Sequence, residues 1–156
     1  MLAAALVECA EHVRVRGAIR YEIVDRLATA YVERGKSLFP FFEVERTALG
    51  VFEYWLIISE ILASPAWHVT KLIAEPGEYD DALRRMQSPQ IVRAIPPPLL
   101  PSADLRDDGT ALLEVTVYTR AGEERIERRT LALDEQNEFH FHGRVLLAEG
   151  RGGVAV

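Results

Sequence analysis

The chain has 156 residues, of which 49% are hydrophobic and 27% charged, as in globular rather than disordered proteins. Its length fits one domain, and its net charge of -6 argues against a nucleic-acid or anionic-membrane partner. The single cysteine, Cys9, excludes an intramolecular disulfide. The apolar N-terminal segment lacks the basic flank of a signal peptide, so we expect a cytoplasmic protein.

The first part of the chain, residues 1–95, shows apolar residues at the three- and four-residue spacing typical of helices. One apolar face predicts a helix over about 18–33 that ends at Gly35. The strongest periodicity runs from Phe41 to Leu62 and predicts a long, nearly all-apolar helix in the centre of the fold.

Three further helices are predicted before residue 95. Ser64-Pro65 and Ser88-Pro89 each place a capping residue before a proline at the first helical position, which predicts the start of a short helix. The apolar spacing of Tyr79 to Met86 predicts another helix between them. We therefore expect a helical N-terminal half of about five helices.

Residues 96–106 form a proline-rich segment that cannot supply a regular hydrogen-bond ladder, and we expect it to be an extended crossover. From residue 107 to 149 the apolar residues alternate, as in strands half-covered by a core. We expect an antiparallel β-meander of three or four strands, with turns near Ala121-Gly122 and at 134–137. Residues 150–156 would be a Gly-rich tail.

The side chains of this meander can be assigned to faces by alternation. Glu127 is predicted to lie opposite Arg144 of the neighbouring strand, and Glu114 is predicted to lie opposite Arg129. Phe139 and Phe141 are predicted to face the helices, with Glu138, His140 and His142 on the opposite face. The whole chain, 1–156, is predicted to be one α+β domain whose helical layer covers the sheet.

The predicted order of elements, helices followed by a curved antiparallel sheet, is similar to that of the cystatin-like and nuclear-transport-factor-like folds. The resemblance concerns element order alone, because the chain carries no residue motif of that superfamily. It implies an alternative architecture, a cone in which the sheet wraps a helix and encloses an apolar pocket.

The sequence contains no catalytic motif, phosphate-binding glycine loop or cysteine pair, so we expect neither an enzyme nor a cofactor. His140 and His142 have a spacing that permits a shared metal. A third ligand would have to be Glu138, His12 or His68, and the nearby Arg125 and Arg129 disfavour a cation. We therefore expect no tightly bound metal.

Two regions are candidate ligand sites. One is a pocket near Trp55 and His68, and the other is a patch of arginines and histidines on the polar sheet face, suited to a carboxylate or phosphate. The patch comprises Tyr118, Arg125, Arg129, His140, His142 and Arg144. The candidate ligand-binding residues are Trp55, Trp67, His68, Arg129, His140 and His142.

The apolar content leads to the first functional hypothesis, a non-enzymatic module that self-associates as a homodimer or binds a protein partner. The alternative is a small apolar-ligand pocket protein or an enzyme of the nuclear-transport-factor-like type. A weaker alternative is a metal-binding protein that uses the His-x-His strand.

Overall fold

The computed structural model describes residues 10–15, 39, 42–61, 70–94 and 97–153. The predicted helix over 18–33 and the predicted helix start at Ser64-Pro65 lie outside these residues. In chain order the elements are β1 (Val13–Val15), β2 (Phe42–Val44), α1 (Ala48–Ile61), β3 (Thr70–Ile73), α2 (Pro76–Arg85), β4 (Gln90–Ile91), β5 (Ser102–Leu105), β6 (Ala111–Thr119), β7 (Arg125–Leu133) and β8 (Phe139–Glu149).

The strands form two sheets. β1 and β2 pair as a small antiparallel sheet, in which Val13 lies opposite Val44. The other sheet has six strands in the order β3-β6-β7-β8-β4, with β5 also paired to β6. β3 is antiparallel to β6 and β4 is antiparallel to β8.

The predicted fold class is wrong, because the described residues contain two helices and are mostly sheet rather than a layer of about five helices on a short meander. The alternative architecture, a cone in which the sheet wraps a helix, also required helices before strands, whereas in the described residues strands precede and separate the two helices. Three predicted helical stretches contain strands instead: Phe42–Val44, Thr70–Ile73 and Gln90–Ile91. Each is two to four residues long and is fixed by pairing with a distant strand, which local periodicity does not register.

Other predictions are confirmed. The three long strands β6, β7 and β8 follow one another as the meander predicted, and α2 covers most of the predicted segment Tyr79 to Met86. Residues 97–101 have no regular secondary structure, as expected for the proline-rich crossover, but the rest of the predicted crossover contains strand β5, which pairs with β6. α1 confirms the central part of the apolar run but begins only at Ala48, where the Thr47 hydroxyl accepts a hydrogen bond from the Gly50 N–H at 3.0 Å.

The register of the first hairpin differs from the prediction. Arg128, not Arg129, donates to Glu114, through Nη2 at 3.0 Å and Nε at 3.2 Å. The prediction assumed a two-residue loop, whereas residues 120–124 separate β6 from β7. A change of one residue in register moves every side chain to the other face of a strand. The predicted contact between Glu127 and Arg144 is confirmed, at 3.5 Å.

Helix α2 packs on one end of the sheet. It begins with Pro76, and proline is favoured at the first position of a helix. Its last turn carries Arg84 and Arg85, whose positive charges interact favourably with the C-terminal end of the helix dipole. Its buried residues join a core with side chains of β3, β6, β7 and β8. That core contains Ile73, Tyr79, Ala82, Met86, Leu99, Tyr118, Ile126, Leu147 and Ala148.

Strand β6 is buried on both faces. Val115 and Val117 on one face are at most 1% exposed, and so is Thr116 on the other. The sequence suggested a strand with one solvated face, because Thr116 and Tyr118 alternate with the apolar Val115 and Val117. Both hydroxyl groups form hydrogen bonds, Thr116 with Arg128 and Tyr118 with Glu124. These bonds offset the cost of removing the hydroxyl groups from water.

Arg128 fixes the proline-rich crossover to the sheet. Its guanidinium is 7% exposed and donates to the Pro98 carbonyl and to the Ser102 hydroxyl at 3.2 Å, as well as to Glu114. A buried arginine needs this many acceptors, because an unpaired buried charge is costly. Arg128 therefore has a structural role.

The chain divides into two compact units. Among the described residues, one unit contains β1, β2 and α1 with residues 103–112 and 133–140, and the other contains residues 70–102, 113–132 and 141–153 without the undescribed 95 and 96. The prediction of a single domain stays a prediction. No helix within the described ranges has the length and apolar character needed to cross a membrane.

Candidate anion-binding cleft

An open cleft of about 780 Å³ lies in the unit that contains α2. Its walls come from the turn between β6 and β7, the first residue of β7, the second half of β8 and the segment after β8. The lining residues are Gly122, Glu123, Glu124, Arg125, Arg144, Leu146, Glu149, Gly150, Arg151, Gly152 and Gly153. We call it the arginine cleft, because Arg125, Arg144 and Arg151 supply its cationic groups.

A buried carboxylate, Glu127, organises the arginines of the sheet next to this cleft. Glu127 is 1% exposed, and Arg129 Nε donates to its Oε1 at 2.6 Å. Arg125 Nε and Arg144 Nη1 approach its Oε2 at 3.0 and 3.5 Å. Arg125, Glu127 and Arg129 are alternate residues of β7 and therefore share one face of the strand.

The charges of this group do not balance. Three guanidinium groups against one carboxylate leave a formal charge of +2 around Glu127. Arg125 Nε is buried, and although it is close to Glu127 it is not aligned to donate a hydrogen bond. Within the described residues no side chain accepts a hydrogen bond from the terminal nitrogens of Arg125 or from Arg151. These donors are available to a ligand.

The third arginine is positioned by backbone hydrogen bonds of the segment after β8. Arg151 N–H donates to the Gln87 carbonyl at 2.8 Å, and its neighbours Gly150 and Gly152 exchange hydrogen bonds with the backbone of Glu124 at 2.8 and 2.7 Å. This segment was expected to be a simple tail. It is instead a wall of the cleft, held against the β6–β7 turn.

Glu124 forms the fixed point of that wall. Its side chain is 1% exposed; Oε1 accepts from the Tyr118 hydroxyl at 2.5 Å and Oε2 accepts from the Gln87 N–H at 2.8 Å. Burial, together with the hydrogen bond to Glu124, raises the pKa of Tyr118 to about 12, so the phenol stays protonated and donates. Glu124 keeps its negative charge, but the ion pair that it forms is with Arg120, whose Nε lies 3.7 Å from Oε1, and not with an arginine of the cleft.

The rim carries two exposed carboxylates, Glu123 and Glu149, neither of which forms an ion pair with a cleft arginine in the part of the chain that the structure describes. The lining contains no imidazole, thiol or hydroxyl side chain. Guanidinium groups bind carboxylates and phosphates through paired N–H donors. The cleft is therefore equipped to hold an oxyanion, and its lining offers no usual nucleophile.

The structure separates the predicted ligand-binding residues. Trp55 is 7% exposed and stacks on Phe52 within α1. Trp67 and His68 lie outside the described residues. Arg129 is bound to Glu127 beside the arginine cleft but does not line it.

The two histidines also differ in their surroundings. Both histidines are exposed and neither lines the cleft, but His140 Nε2 lies 2.7 Å from Asp134 Oδ2, whereas no hydrogen bond or ion pair joins His142 to another described residue. The predicted patch of arginines and histidines is thus brought together only in part, as Arg125, Arg129 and Arg144 around Glu127. Sequence reasoning missed Arg151 and Glu124. The position of Arg151 among Gly150, Gly152 and Gly153 could have indicated its place, because closely spaced glycines permit a segment to pack closely against another backbone.

Comparisons of the chain with protein-family models, with curated protein sequences and with solved structures found no match. The function is therefore inferred from the chemistry of the side chains, since a fold alone does not determine function. The arginine cleft is the feature of the described residues whose chemistry is most specific.

Proposed function

We propose that this protein is a binding module that recognises an oxyanion, a carboxylate or phosphate group, in the arginine cleft. The observation that carries the proposal is the excess of guanidinium groups around the single carboxylate of Glu127, with unpaired donors that face an open cleft. The group of Arg125, Arg129 and Arg144 around Glu127 is locally positive, and charges partly shielded from water attract anions more strongly than the same charges in bulk solvent. The cleft lining as a whole is balanced by Glu123, Glu124 and Glu149, so the attraction is local to the guanidinium groups. An anion would relieve the mutual repulsion of Arg125 and Arg144.

The composition of the cleft also distinguishes between the earlier hypotheses. Leu146 is the one large apolar side chain in its lining, so this cleft favours a charged ligand over a small apolar one. The oxyanion can belong to a small molecule or to acidic side chains of a protein partner. The second source would agree with the predicted role as a protein-binding module.

Calorimetric titration with inorganic phosphate, citrate and a glutamate-rich peptide tests the proposal on the full chain. We expect saturable binding of at least one of these ligands, weakened by salt. Citrate or phosphate binding indicates a small-molecule oxyanion, and preferential peptide binding indicates an acidic partner. Absence of saturable binding of all three at millimolar concentration contradicts the proposal.

Arginine variants assign the binding to this cleft. Arg144→Ala and Arg151→Ala should each weaken binding at least about tenfold, since a hydrogen bond to a charged group contributes about 1.5–3 kcal/mol. Both side chains are substantially exposed, so their removal should leave the fold intact. Arg106→Ala removes an exposed arginine outside the cleft and is the matched control. An equal loss in all three variants would indicate unspecific attraction rather than a site.

Self-association is a second candidate function, supported by exposed large apolar side chains. Ile91, Val92 and Leu100 are 58%, 52% and 66% exposed in the unit that also contains the cleft. Single exposed apolar residues are common, but several large ones on a small protein are a feature of interaction surfaces.

A further inference from the structure

The loop between β7 and β8 gathers three side chains that can ligate a metal. One ligand atom each from Asp134, Glu138 and His140 lies within 4.8 Å of the others. Two carboxylates this close repel each other. In the described part of the chain no group donates a hydrogen bond to the Glu138 carboxylate, and His140 is the side chain that pairs with Asp134. The cluster belongs to the other compact unit and shares no residue with the arginine cleft.

The loop is fixed from behind through groups that are not the candidate ligands. Arg46 Nη2 donates to the Asp134 carbonyl at 3.0 Å and to Asn137 Oδ1 at 2.7 Å. The Tyr54 hydroxyl donates to the Asn137 carbonyl at 2.8 Å, and Asn137 has a positive φ of 64° that its short side chain tolerates. These bonds hold the loop through the Asp134 carbonyl and through Asn137, and none of them uses a carboxylate of Asp134 or Glu138.

Asp134 is oriented as a metal-binding carboxylate needs to be. Its Oδ1 accepts the N–H groups of Gln136 and Glu138 at 2.9 and 2.8 Å, and its Oδ2 faces His140. Such supporting hydrogen bonds fix the direction of a ligand before the metal arrives.

We propose that Asp134, Glu138 and His140 form a binding site for a divalent cation of the zinc class. The mixture of one imidazole with two carboxylates suits Zn²⁺, whereas Mg²⁺ and Ca²⁺ prefer oxygen ligands alone. Three protein ligands leave the fourth tetrahedral position to water. Arg46, which binds the back of the same loop, opposes a cation, so the site binds zinc reversibly rather than retaining it through purification.

The proposal replaces the ligand pair suggested by sequence spacing. His140 and His142 are the histidines that a His-x-His motif would use, but the loop sets His140 beside Asp134 and Glu138. His142 is therefore a matched control: it has the same residue type, belongs to the same strand and is exposed.

Titration of the untagged full chain with Zn²⁺, followed by calorimetry, tests the site. We expect one equivalent of Zn²⁺ to bind, with affinity reduced at least about tenfold in His140→Ala and in Glu138→Gln, since even loss of an outer hydrogen-bond partner costs about that much. His142→Ala should bind as the unmodified protein does. Circular dichroism of each variant verifies that the fold is retained.

Three results would overturn the proposal. The first is the absence of zinc binding at millimolar concentration by the folded, unmodified protein. The second is binding that His142→Ala weakens as much as His140→Ala does, since unspecific histidine binding or the His-x-His pair would give that pattern. Glu138→Gln is nearly isosteric and exposed, so an unchanged affinity in this variant would also exclude the site.

Discussion

A single buried carboxylate, Glu124, supports both the core and the wall of the arginine cleft. Glu124→Ala would leave the Tyr118 hydroxyl and the Gln87 N–H without their acceptor. Each buried polar group left unpaired costs about 1–3 kcal/mol, so we expect the free energy of unfolding to fall by about 2 kcal/mol or more. Urea unfolding measures this change.

The neighbouring residue supplies the control for that experiment. Glu123 carries the same side chain in the same turn but is exposed, so Glu123→Ala should change the free energy of unfolding by about 0.5 kcal/mol or less. If the two variants were equally stable, the Glu124 carboxylate would not be the acceptor that holds the turn.

Two phenylalanines of β8 test which side chains form the core. Phe139 stacks on Tyr54 with ring centroids 5.6 Å apart, whereas Phe141 is 62% exposed. The sequence-based expectation that both face the helices is therefore confirmed for Phe139 and wrong for Phe141. Phe139→Ala should lower the free energy of unfolding by about 2–4 kcal/mol, because it removes aromatic packing, and Phe141→Ala by about 1 kcal/mol or less.

Thermal unfolding of the two variants, followed by circular dichroism, distinguishes these outcomes. A larger loss in Phe141→Ala than in Phe139→Ala would mean that Phe141 is covered in solution. Simple alternation cannot distinguish Phe139 from Phe141, since both have the same parity in one strand. The two residues differ in their contacts: Tyr54 of α1 packs against Phe139.

At the level of elements, the segment after β8 depends on glycines for close packing. A Cβ atom added to Gly152 would lie 2.5 Å from Glu124 Oε2, and Glu124 is held on both oxygens. Gly152→Ala should therefore lower the free energy of unfolding by about 1–3 kcal/mol, as overpacking does. It should also weaken oxyanion binding, because Arg151 would move.

Gly77 in α2 is the matched control for this substitution. No atom lies within 4 Å of the position of its Cβ, so Gly77→Ala should leave stability unchanged or raise it by up to about 1 kcal/mol. Differential scanning calorimetry compares the two variants. A Gly152→Ala protein as stable as Gly77→Ala would show that the segment does not pack against Glu124.

For the whole molecule, we predict a homodimer that forms through apolar contact. Light scattering at micromolar concentration measures the mass, and a dimer that survives high salt indicates an apolar rather than a charged interface. Ile91→Ser combined with Leu100→Ser should shift the dimer to monomer, since both side chains are exposed and add little to the core. Leu105→Ser, at another exposed position, is the control. A monomer mass for the unmodified protein contradicts the prediction.

The sequence by itself determined the long strands, because β6, β7 and β8 are nine to eleven residues long and their turn residues separate them clearly. It also predicted most of α2, from the apolar spacing of Tyr79 to Met86, but not its start at Pro76. It placed Arg125, Arg129 and Arg144 on one face of the sheet, since alternation places such residues together, and the structure gathers them around Glu127.

Only the tertiary structure decided the remaining features, all of which depend on contacts between distant residues. The short strands β2, β3 and β4 exist through their partners, and the five-residue turn before β7 sets which arginine meets Glu114. Arg151 reaches the cleft because Glu124 and Gln87, remote in the chain, bind the backbone around it. Pairing energy of this kind arises only when the chain closes on itself, so no local pattern of residues records it.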